Sequence, residues 1–413
     1  MEQAKPSVAV VGWDMSHNAL GRAWVLADML GHQGWTVQLA GPLCQGREVW
    51  QPLRNATPSV ETFLCRGMAT VMHKCVRHVE ANPHRAVVVS KQRFPSMLLG
   101  LLYKRRWGAR VIVDIDDDEL SLAGAHEAID PAVIRRPPGN VLPDRVRDPM
   151  WTAFGEGMLD MADAITVAGA SLQRRYGGEI VRHARDRKAF DRGLYDAAAS
   201  RLKYGLPAHG RLVMFLGSPR AHKGLERLVA FIHASGAPDL VLCVTDRFTD
   251  ARERERLLAL GGGRVVLMPV VPLAEAPALL CAASFVCLPQ DESSSISRYQ
   301  VPAKISDAMA MQVPVLMAPT EAVADLSALG IFVNEGPLDE AAFAKAVSMP
   351  QVELDAVVER ATRVYQQQFT YEAAGPVLDR LVRQEGSKPP PAWSVDVLAM
   401  VDQVAAVLAR RSG

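Results

Sequence analysis

Short runs of consecutive apolar residues, many of them β-branched, recur along this chain, and longer stretches with apolar residues at helical spacing lie between them. Val8–Gly12 is followed by the loop WDMSHNALGR and a helical pattern to about Leu30, then by a strand over Thr36–Ala40. Ala86–Ser90, Val111–Ile115 and Ala164–Val167 continue the series, with helical patterns at about 67–81, 95–107 and 150–161. A strand with one wet face alternates apolar and polar residues, whereas a strand covered on both faces does not. Uniformly apolar strands alternating with helices therefore predict parallel sheets with helices on both sides. After Asp186 the texture loosens into RKAFDRGLYDAAASRLKYGLPAHGR, and the pattern then restarts at Leu212–Leu216. A helix over Leu225–Ala234 follows, with strands at Leu240–Val244, Val265–Met268, Ser284–Leu288, Pro314–Met317 and Ile331–Val333. A chain of 413 residues exceeds what one core usually serves. The expectation is α/β: two doubly wound domains over 1–190 and 191–352, then helices over 353–413 that pack back on the body. EGSKPPPAW marks a connector within that last part. Ligands of such domains bind at the carboxyl ends of the strands, so two domains facing each other would enclose a cleft.

Composition narrows the function classes. The net charge of +1 gives no general attraction to nucleic acid. No run approaches the roughly 20 apolar residues of a membrane span, and MEQAKPSVAVVGW lacks the pattern of a secretory signal. Six cysteines without a CxxC spacing read as buried thiols. The chain is expected to be cytoplasmic. KRRW at Lys104–Trp107 is a small basic, aromatic cluster, either a solvated helix end or a peripheral contact at the inner face of a membrane.

Three places carry candidate chemistry. In LPQDESSSISRYQVPAKISDAMAMQVPVLM, from Leu288, a polar loop leads to a helix opened by Pro302. The free N–H groups at such a helix start suit an anion, here around Val301 to Ala303, and Lys304 and Asp307 share a face one turn in. In MFLGSPRAHKGLERL a small turn at Gly217 and Ser218 precedes Arg220 and Lys223, two cations suited to a diphosphate. The alternative is a solvated turn with Lys223 paired to Glu226. The first loop holds no GxGxxG, which counts against a nicotinamide dinucleotide. Gly21 could let a ligand approach the backbone, and His17 and Asn18 could contact an acceptor or cap the helix. Asp114 and Asp116–Asp118 end an apolar strand, where alternation of side chains argues against convergence on a metal. Asp116 is the member assigned to the acceptor side.

FLGSPRAHKGLERL, followed about seventy residues later by CLPQDESSSISRYQVPAKISDAMAMQVPVL, resembles the C-terminal domain of GT-B glycosyltransferases, in particular family 4 (glycosyl transferases group 1). RHARDRKAF resembles the family's interdomain segment. The resemblance implies two Rossmann-like domains facing across a cleft, with a nucleotide-diphospho-sugar donor on the C-terminal one. A glycan, lipid-linked or small-molecule acceptor would lie on the N-terminal one, and transfer would proceed with retention and usually without a metal. Lys223 matches the lysine of the family's G-R-x-x-x-x-K-G pattern. That pattern's arginine falls at Ser218, with Arg220 a shifted substitute. Asp307 matches the second glutamate of the Glu-x7-Glu motif, expected to hold the ribose, while Tyr299 stands where the first glutamate would be. Pro302 and Lys304 resemble a P-x-K-x-x-[DE] variant of the region. The lost glutamate keeps two other readings open: a sugar-nucleotide epimerase of the same fold, and a non-catalytic paralogue that binds a nucleotide sugar.

Overall fold

The computed structural model of the chain describes residues 6–135 and 142–412. It divides into two compact units. The first runs to Ala168 and takes in Leu172–Val181 and the chain from Ala374 onward; the second comprises Gly169–Ser171 and Arg182–Ala373.

The first unit contains a sheet of seven parallel strands, β1 (Ser7–Gly12), β2 (Thr36–Leu43), β3 (Val60–Leu64), β4 (Ala86–Ser90), β5 (Arg110–Ile115), β6 (Ala164–Val167) and β7 (Glu179–Ile180). Their order is β3-β2-β1-β4-β5-β6-β7. The apolar runs fill the centre: Val8, Val10, Val87, Val88, Val111 and Ile112 are fully buried. The edge strands β3 (VETFL) and β7 were not among the strands expected, because they are short or half exposed and carry no apolar run.

The second unit contains β8 (Arg211–Phe215), β9 (Leu240–Thr245), β10 (Val265–Met268), β11 (Phe285–Leu288) and β12 (Val315–Met317), parallel and in the order β10-β9-β8-β11-β12. Ile331–Val333 is not a strand. Val333 N–H does reach Val315 O at 2.8 Å, but three residues before a glycine-containing bend cannot build a ladder.

Both sheets have the same construction. The strand that comes first in each unit lies inside its sheet: β1 is flanked by β2 and β4, and β8 by β9 and β11. The loops leaving β1 and β4, and those leaving β8 and β11, therefore diverge at points where the winding reverses. Such points leave a crevice at the carboxyl ends of the strands.

The C-terminal residues belong to the first unit through specific contacts. Lys104, expected on a solvated helix end, is buried: its ammonium lies 2.8 Å from Asp163, which also accepts from Val111 N and Lys388 N. Ser387 Oγ and Trp393 Nε1 add bonds to Asp163 and Asp160. The helix Ser394–Ser412 then packs on the helix Met68–Ala81. EGSKPPPAW is thus a strap with defined anchors as well as a connector. Among the described residues no helix is long and apolar enough to cross a membrane.

Candidate functional site

In the second unit the loops after β8 and β11 are held together tightly. Gly224 has φ +70°, and a Cβ there would fall 2.0 Å from Pro289 O, so only glycine allows this approach. Arg227 donates to Pro289 O at 2.8 Å and to Gln290 O at 3.0 Å, and Asp291 N–H reaches His222 O at 3.0 Å. Within this frame Lys223 closes a short 3₁₀ turn, Ala221–Lys223, and its ammonium donates to the Gln300 side-chain oxygen. Glu226 does not take Lys223; it pairs with Arg256 at 2.8 Å. Lys304 comes up beside Gly217, where a Cβ would sit 3.5 Å from its Cε. Both lysines thus reach the reversal point of the sheet.

The helix Ala303–Ala310 starts there, with Pro302 at its N-cap and no side chain satisfying its first N–H groups. Val301 and Pro302 are buried, and Ala303 and Lys304 are half-buried. A second, unexpected helix, Ser295–Tyr299, precedes it, so Ser294–Tyr299 is not the open loop that its serines suggest. Tyr299 is half-buried at that helix's end. Arg220 is exposed and reaches Thr249 Oγ1 at 3.3 Å, in the loop after the adjacent strand β9. Ser218 is half-buried in the turn between β8 and Arg220.

Asp307 has a partner that motif matching did not supply. Its Oδ1 accepts from Arg185 Nε at 2.5 Å, and its Oδ2 lies 3.6 Å from Lys304 Nζ. Arg185 is buried as well, against the Phe190 ring at 5.7 Å, and its own backbone pairs with Thr370. The carboxylate therefore neutralises an internal cation through one oxygen and faces Lys304 with the other. The first four residues of RHARDRKAF, Arg182–Arg185, are buried, and an arginine there requires an acid somewhere.

In the first unit, the loops leaving β1, β4 and β5 bring other charges together. Lys91, directly after β4, has φ +69°, a conformation rare for a residue with a side chain. Its ammonium lies 2.6 Å from Asp116, 2.9 Å from Asp117 and 2.8 Å from Glu119. Of the acids expected to diverge, Asp116 and Asp117 do not, and Glu119 joins them, whereas Asp118 turns away to Ser121 and Arg175. The three that converge lie beyond the end of β5, where side chains no longer alternate. The cation at their focus is Lys91. Asp114, by contrast, points into the interior, where Arg22 binds both its oxygens at 2.8 Å and Thr166 donates to it at 2.7 Å. Burial, helped by Asp117, pushes the Asp116 carboxyl up to about 7 against the pull of Lys91. Burial works the same way on Glu119, but Arg93 and Lys91 outweigh it and hold that carboxyl at about 2.

His17 borders this cluster. Its Nδ1 accepts from Ala19 N–H at 3.0 Å, which leaves the proton on Nε2, 3.6 Å from Asp14. Trp13 meets its ring edge-on at 4.6 Å, and Arg93 lies over Trp13 at 4.4 Å. Burial, with Arg93 and Arg147, lowers His17 to about 4 despite Asp14. Asn18 is exposed and its side chain does not cap the helix Leu20–His32; only its carbonyl accepts, from Gly21 N–H. Gly21 is approached by the Trp50 ring, 3.6 Å from where a Cβ would be, so a neighbouring side chain already occupies that side. Lys91, Arg93 and Glu119 were not among the expected site residues, since no motif marks them and only the fold brings them to Asp116.

The chain thus has two Rossmann-like α/β units, the GT-B type of fold expected from its sequence. Solved structures agree with this. The chain is similar to a sucrose-phosphate synthase from Thermosynechococcus elongatus, with a TM-score of 0.63 and 17% identity over 92% of this chain and 99% of that one. It is similar to Anabaena HepE, solved in complex with UDP-glucose, with a TM-score of 0.65 and 14% identity over 92% and 100%. It is also similar to WaaG, a glycosyltransferase involved in lipopolysaccharide biosynthesis, with a TM-score of 0.60 and 14% identity over 91% and 100%. No protein-family model matches the sequence, and no curated protein matches it.

Proposed function

We propose that this chain is a glycosyltransferase that moves a sugar from a nucleotide-diphospho-sugar to an acceptor hydroxyl. One observation carries the reading: Lys223 and Lys304 meet the uncapped start of the helix Ala303–Ala310 at the reversal point of the second sheet. Two ammonium groups and free backbone N–H groups form an anion site of the kind that stabilises a departing diphosphate. Negative charge on that group grows as the glycosidic bond breaks, so these contacts strengthen toward the transition state and raise turnover as well as affinity. Arg220, exposed at the edge of the same loop, adds a third cation. Gly217 and Ser218 keep the loop small enough for the donor to lie against it, and Tyr299 and Val301 flank it. Asp307 keeps Lys304 and Arg185 in place, and its Oδ2 is the oxygen available to a ribose hydroxyl. Anabaena HepE was solved in complex with UDP and with UDP-glucose, which makes uridine the first base to try.

The acceptor belongs to the first unit in this reading, at His17, Asn18 and Asp116, where polar groups gather at the corresponding reversal point. Transfer with retention fits a mechanism in which the leaving phosphate takes the acceptor's proton, and no metal is required of the two lysines' role. Glycans, lipid-linked acceptors and small molecules all present the hydroxyl such a reaction needs. A cytoplasmic site of action, at the inner face of a membrane for a lipid-linked acceptor, is consistent with these substrates.

The test is incubation with a panel of nucleotide sugars and simple glycoside acceptors, followed by chromatography. Release of nucleoside diphosphate together with a new glycoside is expected, falling at least a hundredfold in Lys223→Ala. An isomerised nucleotide sugar would instead assign an epimerase. Binding without turnover would assign a non-catalytic paralogue, which the absence of a carboxylate at Tyr299 favours. Turnover unchanged in Lys223→Ala would refute the role of that residue.

A further inference from the structure

The polar side chains next to Lys223 have a fixed direction. An ammonium can only donate, so the amide oxygen of Gln300 must face Lys223. The same oxygen takes the Gln290 side-chain N–H at 3.5 Å. That contact turns the Gln290 Oε1 away from Gln300. Gln290 is 1% exposed, and among the described residues this oxygen meets no donor. A buried amide oxygen without a partner is costly unless something supplies the missing hydrogen. Nearby structure repeats the deficit. Ser297, fully buried in the helix before Gln300, and Thr320, just beyond β12, also have hydroxyls without a partner among the described residues. These residues lie at the carboxyl ends of the neighbouring strands β11 and β12, which Ala318 N–H to Leu288 O holds together at 3.1 Å.

We propose that Gln290 reads the sugar of the donor, its side-chain oxygen accepting a hydrogen bond from a sugar hydroxyl, with Gln300 holding the amide in that orientation from Lys223. The inference rests on the donor reading above and adds to it a residue that selects the transferred group. A neutral amide pair accepts hydroxyls without attracting a cation, so the matching donor carries an uncharged polyhydroxy sugar.

Calorimetry separates this role from diphosphate binding. The parent is titrated with UDP, ADP, GDP and dTDP and with their sugar conjugates, and the conjugate that gains most over its own diphosphate is chosen. Gln290→Leu, close in volume, should bind the diphosphate as the parent does and lose about five- to tenfold in affinity for the conjugate, the worth of one hydrogen bond. The inference fails if Gln290→Leu leaves the ratio of the two affinities unchanged, or weakens both ligands equally while circular dichroism shows it folded. If the parent binds none of the diphosphates, the donor reading itself falls, and this inference with it.

Discussion

Asp307 and Arg185 offer a quantitative test of what the motif acid does in this chain. Both side chains are almost fully buried, at 3% and 7% exposure, and joined at 2.5 Å. Removing one member of such a pair leaves the other charged and desolvated, at a cost of about 3–5 kcal/mol. The two single variants should differ. In Arg185→Met, Asp307 keeps Lys304 at 3.6 Å, which places the loss near 3 kcal/mol. In Asp307→Leu, Arg185 keeps, among the described residues, the Ala184 carbonyl and the Phe190 ring, so the loss should lie near 5 kcal/mol. The double variant buries no charge and should lose only about 1–2 kcal/mol, far less than the sum. All seven tryptophans, at 13, 24, 35, 50, 107, 151 and 393, lie in the first unit. During urea unfolding tryptophan fluorescence therefore reports the first unit, and the part of the far-UV circular-dichroism change that fluorescence does not follow reports the second. With a slope of about 2 kcal/mol per molar urea, Asp307→Leu should advance the second unit's transition by about 2.5 M. Single variants that each lose under about 1 kcal/mol and add in the double variant would refute the reasoning, since that is how an exposed pair behaves.

Lys91→Met should destabilise the first unit by about 3 kcal/mol or more, because it leaves Asp116, Asp117 and Glu119 facing one another without their ammonium. Millimolar Ca²⁺ should then raise the melting temperature of the variant and not of the parent, since the three carboxylates offer oxygens within 4.8 Å of one another; equal melting of parent and variant, or an equal response to the ion, would contradict this. His17 provides a pH signature. Its folded value lies near 4, below the ordinary 6.5, so the unfolded chain binds the extra proton between those values. Its contribution is complete above pH 6.5 and is lost as pH falls toward 4, by about 3 kcal/mol at most. Asp116 acts in the opposite sense over a similar range, because its raised value favours the folded state on the acid side. Comparison with His17→Gln cancels that term: the parent should lose stability relative to the variant on acidification from pH 6.5 to 4, and a constant difference would rule out a buried, neutral His17.

The fold was legible wherever burial on both faces wrote itself as an apolar run. VAVVG, AVVVS, LVMFL and FVCL became central strands because burial on both faces favours apolar side chains, and the helices Met68–Ala81, Phe94–Trp107 and Leu225–Ala234 follow from their spacing. Edge strands β3 and β7 left no such mark. The second unit's candidate site was legible in part, since Lys223, Gly224 and the Pro302 helix start are local in sequence. What local reading misses is pairing across long separations. Arg185 with Asp307 spans 122 residues, and Lys223 with Gln300 spans 77. Asp116 was assigned to the acceptor side without Lys91, because only the pairing of β4 with β5 brings them together.

The most direct measurement of the central claim is the affinity of the parent and of Lys223→Ala for a nucleoside diphosphate and the matching monophosphate, at two salt concentrations. The parent should prefer the diphosphate, the preference should weaken with salt, and Lys223→Ala should lose most of it while keeping its affinity for the monophosphate. A parent that binds both equally, or a variant that keeps the full diphosphate preference, would contradict it.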